Sequence, residues 1–320
     1  MTTEVTHRTI AANGIQIHVA EAGVGPLVLL CHGFPESWYS WRHQITALAE
    51  AGFRVVAPDQ RGYGQTDRPA AVDAYSIFHL VGDIVGLVNA LKERTAAIVG
   101  HDWGAPVAWS SAQLRPDLFR AVGLLSVPYI PRGPVRPGPI VKAIFGDKVF
   151  YQEYFQEEGK AERELERDVR ATMLATFYSL SGDAAPNERW RYAFARDQGF
   201  LDSVTVPRSL PPWLSEAELD FFIGEFKRSG FRGGLNWYRN IDRMWELTGF
   251  LDGARLAQPT LFIAGDKDAV IEFYADAYHA LEANAPNLAG KALLPGAGHW
   301  IQQERPAEVN RRLIDFLRSV

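Results

Sequence analysis

Short apolar runs of β type alternate with helical patterns along residues 1–127, and this alternation constrains the fold more than any other feature of the chain. Strands are expected at Ile15–Ala20, Pro26–Cys31, Arg54–Ala57, Ala96–Val99 and Ala121–Leu125. Helices are expected between them, at Trp41–Ala51, Ile77–Lys92 and Ala105–Gln113. Buried runs separated by helices imply parallel strands joined by crossovers. The pattern returns near the end, with strands at Thr260–Ala264 and Lys291–Leu294 and a closing helix at Ala307–Arg318. The middle reads differently. Pro128, Pro131, Pro134, Pro137 and Pro139 mark a connector that is expected to be neither helix nor inner strand. From Ile140 to about Leu247 the patterns are mostly helical with no evident strand series, and Pro207, Pro211 and Pro212 break them into two parts. The expected organisation is an α/β core built from both ends, 1–127 and 250–320, around a helical insert at 128–249.

Composition excludes several classes of function. The net charge of −5 argues against nucleic acid as a partner, since phosphate binding needs clustered Lys and Arg. The charge-dense stretch from Glu157 to Arg170 mixes both signs and reads as a solvated helix face. Cys31 is the single cysteine, so no intrachain disulfide forms, and its apolar neighbours mark it as a small buried hydrophobe. No apolar run approaches the ~18 residues that span a bilayer. Met1-Thr2-Thr3-Glu4 lacks the basic and apolar regions of a secretory leader. A cytoplasmic protein without membrane insertion is expected. Aromatic residues make up 12% of the chain, and more than half of them fall in the insert, which suggests an apolar pocket between insert and core.

The strand Ala96-Ala97-Ile98-Val99 runs into Gly100-His101-Asp102-Trp103-Gly104 and then into the helical Ala105-Pro106-Val107-Ala108. A strand, a tight turn and a helix with glycines at these two positions form a nucleophile elbow. Pro106 suits a first helical turn, whose amides are unpaired anyway. The helix N-terminus favours an anion on the turn. The central position holds Asp102 rather than Ser or Cys. A carboxylate attacks saturated carbon and gives an ester, which does not suit peptide hydrolysis.

Such a nucleophile needs a base, an orienting acid and oxyanion donors. In this architecture the chain order is nucleophile, acid, histidine. His299, in Pro295-Gly296-Ala297-Gly298-His299-Trp300, follows the last expected strand. Two carboxylates, Asp266 and Asp268, follow the strand before it. Asp268 is the expected acid, because its longer excursion past the strand end suits reaching His299. Asp266 is expected as a turn residue. The backbone amides of Phe34, in His32-Gly33-Phe34-Pro35, and of Trp103 are the expected oxyanion donors. His32 and His101 lie in no HExxH or Cys/His cluster, so they read as hydrogen-bonded structural groups and no metal is expected.

Taken together, these segments resemble the soluble epoxide hydrolases of the α/β-hydrolase fold. His32-Gly33-Phe34-Pro35, Asp59-Gln60-Arg61-Gly62-Tyr63-Gly64, Gly100-His101-Asp102-Trp103-Gly104, Gly265-Asp266-Lys267-Asp268 and Gly298-His299-Trp300 resemble that family's motifs in the family's order. The resemblance implies a mostly parallel central sheet flanked by helices, with the insert as a helical lid. It also implies two lid tyrosines that grip an epoxide oxygen. The segment Phe150-Tyr151-Gln152-Glu153-Tyr154 resembles the first, giving Tyr151, with Tyr154 as the adjacent candidate. Leu235-Asn236-Trp237-Tyr238-Arg239 resembles the second, giving Tyr238. The aromatic side chains of Phe34, Trp103, Trp237 and Trp300, within or beside these motifs, are expected to contact substrate. The implied reaction takes a small lipophilic epoxide and water to a vicinal diol, with no cofactor; a homodimer is left open.

Two other readings share these residues. A haloalkane dehalogenase also uses an aspartate nucleophile, and Trp103 could donate to its halide. A halide leaves as a stable anion, however, so lid tyrosines would be idle. Phe34 also offers no side-chain donor. A non-catalytic ligand-binding protein of this fold would have lost a catalytic group, yet Asp102, Asp268, His299, Tyr151 and Tyr238 are all present.

Overall fold

The computed structural model describes residues 4–320. Met1 to Thr3, part of the segment read above for a leader, lie outside the described residues. Eight strands form one sheet: β1 (Thr6–Ala12), β2 (Ile15–Ala22), β3 (Leu27–Cys31), β4 (Arg54–Pro58), β5 (Ala96–His101), β6 (Phe119–Leu125), β9 (Thr260–Gly265) and β10 (Leu288–Leu294). Two further strands, β7 (Lys148–Phe150) and β8 (Ala193–Ala195), pair antiparallel within the insert. The order in the main sheet is β1-β2-β4-β3-β5-β6-β9-β10. From β4 through β10 all neighbours are parallel, whereas β1–β2 and β2–β4 are antiparallel.

Alternation along each strand explains the layering. In β3, Val28 and Leu30 face one core with Ile45, Leu48, Val309 and Leu313. Leu27, Leu29 and Cys31 face the other core, with Leu80, Ile84, Leu87 and Ala108. Both faces are therefore covered: helices Arg42–Glu50 and Pro306–Arg318 on one side, Ile77–Ala90 and Gly104–Leu114 on the other. Every strand expected from the sequence is present, most of them longer by a residue or more.

The structure departs from the sequence reading at three points. β1 carries no apolar run because most of it is exposed. Its sequence signal was the turn instead: Asn13 and Gly14 both have positive φ, 48° and 78°, the hairpin geometry that Asn-Gly favours. The proline-rich connector ends inside a helix, Pro137–Phe145. Pro137 occupies the first position and Pro139 the first turn, where a missing amide hydrogen costs no helical bond. The insert is also not purely helical, since it contains the β7–β8 ladder.

The chain passes from β3 to β4 on one side and then returns to β5 on the other. The crevice beyond the carboxyl ends of β3 and β5 is thus a topological switch point, where open α/β sheets bind ligands. The insert leaves the sheet after β6 and rejoins it at β9, beside this crevice. Its longest helix, Glu216–Ser229, starts from a reciprocal Ser215–Glu218 capping box. No helix among the described residues is long and apolar enough to cross a membrane.

The helix after β5 starts in backbone contact with the sheet. A Cβ at Gly104 would lie 2.0 Å from the Cys31 carbonyl oxygen, and one at Gly100 would lie 2.0 Å from the Gly104 carbonyl oxygen. Neither partner can swing away as a side-chain tip could. Gly104→Ala is therefore expected to cost about 1–3 kcal/mol or more, measured by denaturant unfolding. An unchanged midpoint would contradict this close approach.

Candidate active site

Asp102 sits on the turn between β5 and the following helix with φ +49°, in the left-handed region that non-glycine residues rarely occupy. The turn is fixed from both sides: Asp102 N–H donates to Leu125 O at 3.3 Å, and Ala105 N–H donates to Asp102 O at 3.0 Å. The conformation projects the carboxylate into the switch-point crevice. There its Oδ1 accepts from the Phe34 amide at 2.8 Å.

His299 lies opposite, on the loop after β10. Its Nε2 is 3.6 Å from Asp102 Oδ2, and its Nδ1 is 3.1 Å from Asp268 Oδ2. Asp268 follows β9 and caps the short helix Ala269–Phe273 by accepting from Val270 N–H at 2.9 Å. Asp266 instead accepts from the Gly296 amide at 2.7 Å, as a turn residue would. Burial alone would lower the His299 pKa, but the Asp268 carboxylate, together with Asp102, holds it well above its usual value. The carbonyl of His299 is fixed by Ser126 Oγ and His101 Nε2, each at 2.8 Å.

His101 and His32 are both spent on structure. His101 Nδ1 meets the buried Glu36 carboxylate at 2.6 Å. Burial pushes Glu36 up, but the adjoining His101 ring brings it down to about 2. His32 Nε2 accepts from the Gln60 amide at 3.0 Å, and its Nδ1 is 2.9 Å from Gly33 O. Among the described residues, no group of three or more His, Cys, Asp or Glu is placed to hold a metal.

A cavity of about 270 Å3 opens on Asp102. Trp103, Tyr151, Gln152 and Tyr274 line it together with Asp102, and Trp109, Val127 and Met244 are among its apolar walls. Gln152 Nε2 donates to the Tyr151 hydroxyl oxygen at 3.0 Å, which leaves the Tyr151 proton free to donate elsewhere. Tyr238 is not one of the lining residues. Its ring packs edge-on against two that are, Trp103 at 5.1 Å and Tyr151 at 5.8 Å. Burial raises both phenols well above their usual pKa; for Tyr238 the Asp102 charge adds to the effect. Tyr154 packs against Phe155 and Phe194 and does not line the cavity.

Three of the expected substrate contacts have side chains that do not line the cavity. Trp237 and Trp300 are fully buried packing groups, with indole N–H donated to Arg61 O at 3.1 Å and Phe177 O at 2.9 Å. Neither lines the cavity, and each indole's one donor is already taken by a backbone carbonyl. The Phe34 ring is likewise packed, among Phe155, Phe231 and Tyr238, so only its backbone faces Asp102. The aromatic excess of the insert has the same explanation. Most of those rings, such as Phe177, Phe222, Phe226 and Phe231, pack in the core that insert and sheet share, against Trp300, Tyr39, Tyr63 and Phe34 respectively, and only Tyr129, Tyr151 and Trp245 reach the cavity. Gln152 and Tyr274 were missed; Gln152 adjoins Tyr151 in sequence, whereas nothing local marks Tyr274.

A family model described as alpha/beta hydrolase fold matches residues 26–306. The chain is 47% identical to epoxide hydrolase A of Mycobacterium tuberculosis, over 98% of each protein. A solved epoxide hydrolase from an endophytic Streptomyces is 51% identical and superposes with a TM-score of 0.96, covering 98% of this chain and 95% of that one. The crystal structure of epoxide hydrolase A from Mycobacterium thermoresistibile gives 48% identity and a TM-score of 0.94, with 98% of each chain covered. The chain therefore belongs to the epoxide hydrolases of the α/β-hydrolase fold.

The charge environment of His299 is open to measurement. In Asp268→Asn one of the two carboxylates that raise its pKa is gone while burial still lowers it. The His299 imidazole is then expected to titrate at lower pH than in the parent protein, followed by NMR of labelled histidine. An unmoved or raised titration would contradict the assignment.

Proposed function

We propose that this enzyme converts lipophilic epoxides and water to vicinal diols through a covalent ester on Asp102. The observation that carries this reading is the single line of contacts Phe34 amide, Asp102, His299, Asp268. Asp102 Oδ1 already rests on an amide donor, so Oδ2 is the oxygen free to attack. Its attack on an epoxide carbon breaks the C–O bond and releases an alkoxide, a poor leaving group unless it is protonated. Tyr151 and Tyr238 supply that proton; phenols raised above their usual pKa remain protonated at neutral pH. Halide release would leave both hydroxyls without a task.

Esterification removes the Asp102 charge. One of the two carboxylates holding the His299 pKa up is thereby lost, so the protonated ring gives its proton to the tyrosinate by way of solvent and becomes the neutral base of the second step. His299 takes a proton from water, and the hydroxide adds to the ester carbon. The oxyanion forms on Oδ1, held by the amide of Phe34 and, in this reading, that of Trp103. Collapse expels the diol oxygen, which takes the proton from His299. The second water proton, left on the Asp102 carboxyl, passes to His299 and restores the protonated ring beside two carboxylates. The apolar walls of the cavity favour lipophilic substrates. Residues 128–249 act as the lid that completes this cavity, with 1–127 and 250–320 as the core.

Two experiments test this reading. His299→Gln, incubated with styrene oxide, is expected to gain the mass of one epoxide, located by peptide mapping on Asp102. Lost activity without an adduct would overturn the covalent route. Replacing Tyr151 and Tyr238 together by Phe is expected to slow adduct formation by about 10²–10⁴-fold, the usual worth of general acid catalysis. An unchanged rate would assign the acid elsewhere.

A further inference from the structure

Three amide hydrogens converge on one buried carboxylate that the mechanism above does not use. Glu304 Oε2 accepts from the Gly182 and Gly298 amides, both at 2.9 Å, and Oε1 accepts from the Trp300 amide at 3.0 Å. Gly298 and Trp300 are the residues on either side of His299, whereas Gly182 belongs to the insert. Burial pushes the Glu304 carboxyl up to about 7, against the three donors that pull it down.

The surrounding contacts join the same two segments. The His299 amide donates to Leu180 O at 2.8 Å, and the Trp300 indole donates to Phe177 O at 2.9 Å. A Cβ at Gly298 would lie 2.3 Å from the Gly182 nitrogen, and one at Gly182 would lie 2.2 Å from Gly296 O. The loop carrying His299 therefore rests directly on insert residues 177–182, backbone against backbone. Lys267, one residue before Asp268, adds a bond from its Nζ to Gly182 O at 2.9 Å.

We propose that Glu304 is a positioning residue that clamps the His299 loop to the insert, and so sets the imidazole for water activation on the Asp102 ester. The inference rests on the reading of His299 as the base of the second half-reaction. Alkylation of Asp102 does not require that base, so loss of the clamp falls on hydrolysis. A glutamine at 304 retains only one acceptor oxygen. With that oxygen on Gly182 and Gly298, its NH2 group faces the Trp300 N–H, donor against donor.

The test separates the two half-reactions by rapid mixing and mass spectrometry with styrene oxide. In Glu304→Gln the ester is expected to form at the parent rate and decay about 10–100-fold more slowly, the cost of a displaced catalytic group. In the steady state kcat and KM then fall together while kcat/KM is kept. Glu304→Asp, which retains both oxygens on a shorter arm, is expected to show the same split with a smaller loss, and replaces Glu304→Gln should that variant not fold. Ester decay at the parent rate, or a parallel loss of both half-reactions in either folded variant, would overturn the proposal. If the parent enzyme and His299→Gln form no ester at all, the covalent reading itself fails instead.

Discussion

A carboxylate nucleophile has to be presented on the crest of a turn, stripped of part of its water, and yet kept charged. The structure meets this with backbone rather than side-chain charge. Asp102 takes a left-handed φ of +49°, a conformation that persists only where its surroundings fix it. Those surroundings are the glycines on either side. They let the helix start cross β3 and β5 at distances no side chain would permit. The same closeness brings the Phe34 amide, at the end of β3, within 2.8 Å of the carboxylate. Strand order, turn strain and anion stabilisation are thus one constraint expressed at three scales.

Much of the core and the polar part of the site was legible because their signals are local. Asp102 is announced by a strand, two glycines and a helix within about a dozen residues, and His299 by its place after the last strand. Asp268 was separable from Asp266 by reach alone, and the two carboxylates do divide that way: one meets His299, the other a turn amide. What was not legible depends on which face a side chain finds after folding. Trp237 and Trp300 adjoin a candidate and a motif residue, but a strand or helix neighbour points elsewhere, and both indoles close into the core. Tyr274 reaches the cavity only because the short helix after Asp268 turns it there. The proline run misled for a related reason: Pro forbids a helix interior but favours a helix start, and composition does not distinguish the two.

The insert contributes more than a cover. Its aromatic residues mostly pack in the core it shares with the sheet, and at residues 177–182 it meets the His299 loop through peptide groups, the Glu304 carboxylate and the Trp300 indole. The bond from the His299 amide to Leu180 O does not depend on a rotamer, and the Glu304 carboxylate adds three side-chain bonds at the same place. A mobile histidine would be costly here because its two carboxylate partners stand on different elements, one after β5 and one after β9.

In the proposed mechanism the charges around His299 set the order of events. Before reaction, the Asp268 and Asp102 carboxylates both favour the protonated ring. After attack, one carboxylate has become an ester, and the balance moves toward the neutral ring that can accept a proton from water. The imidazole is therefore a poor base while the nucleophile is free and a better one once it is consumed. No conformational change is required for that alternation, only a fixed geometry in which a single group, His299, touches both Asp102 and Asp268. Fixing the loop on both sides of that residue, through the Gly298 and Trp300 amides, is what keeps a switch driven purely by charge from being blurred by motion.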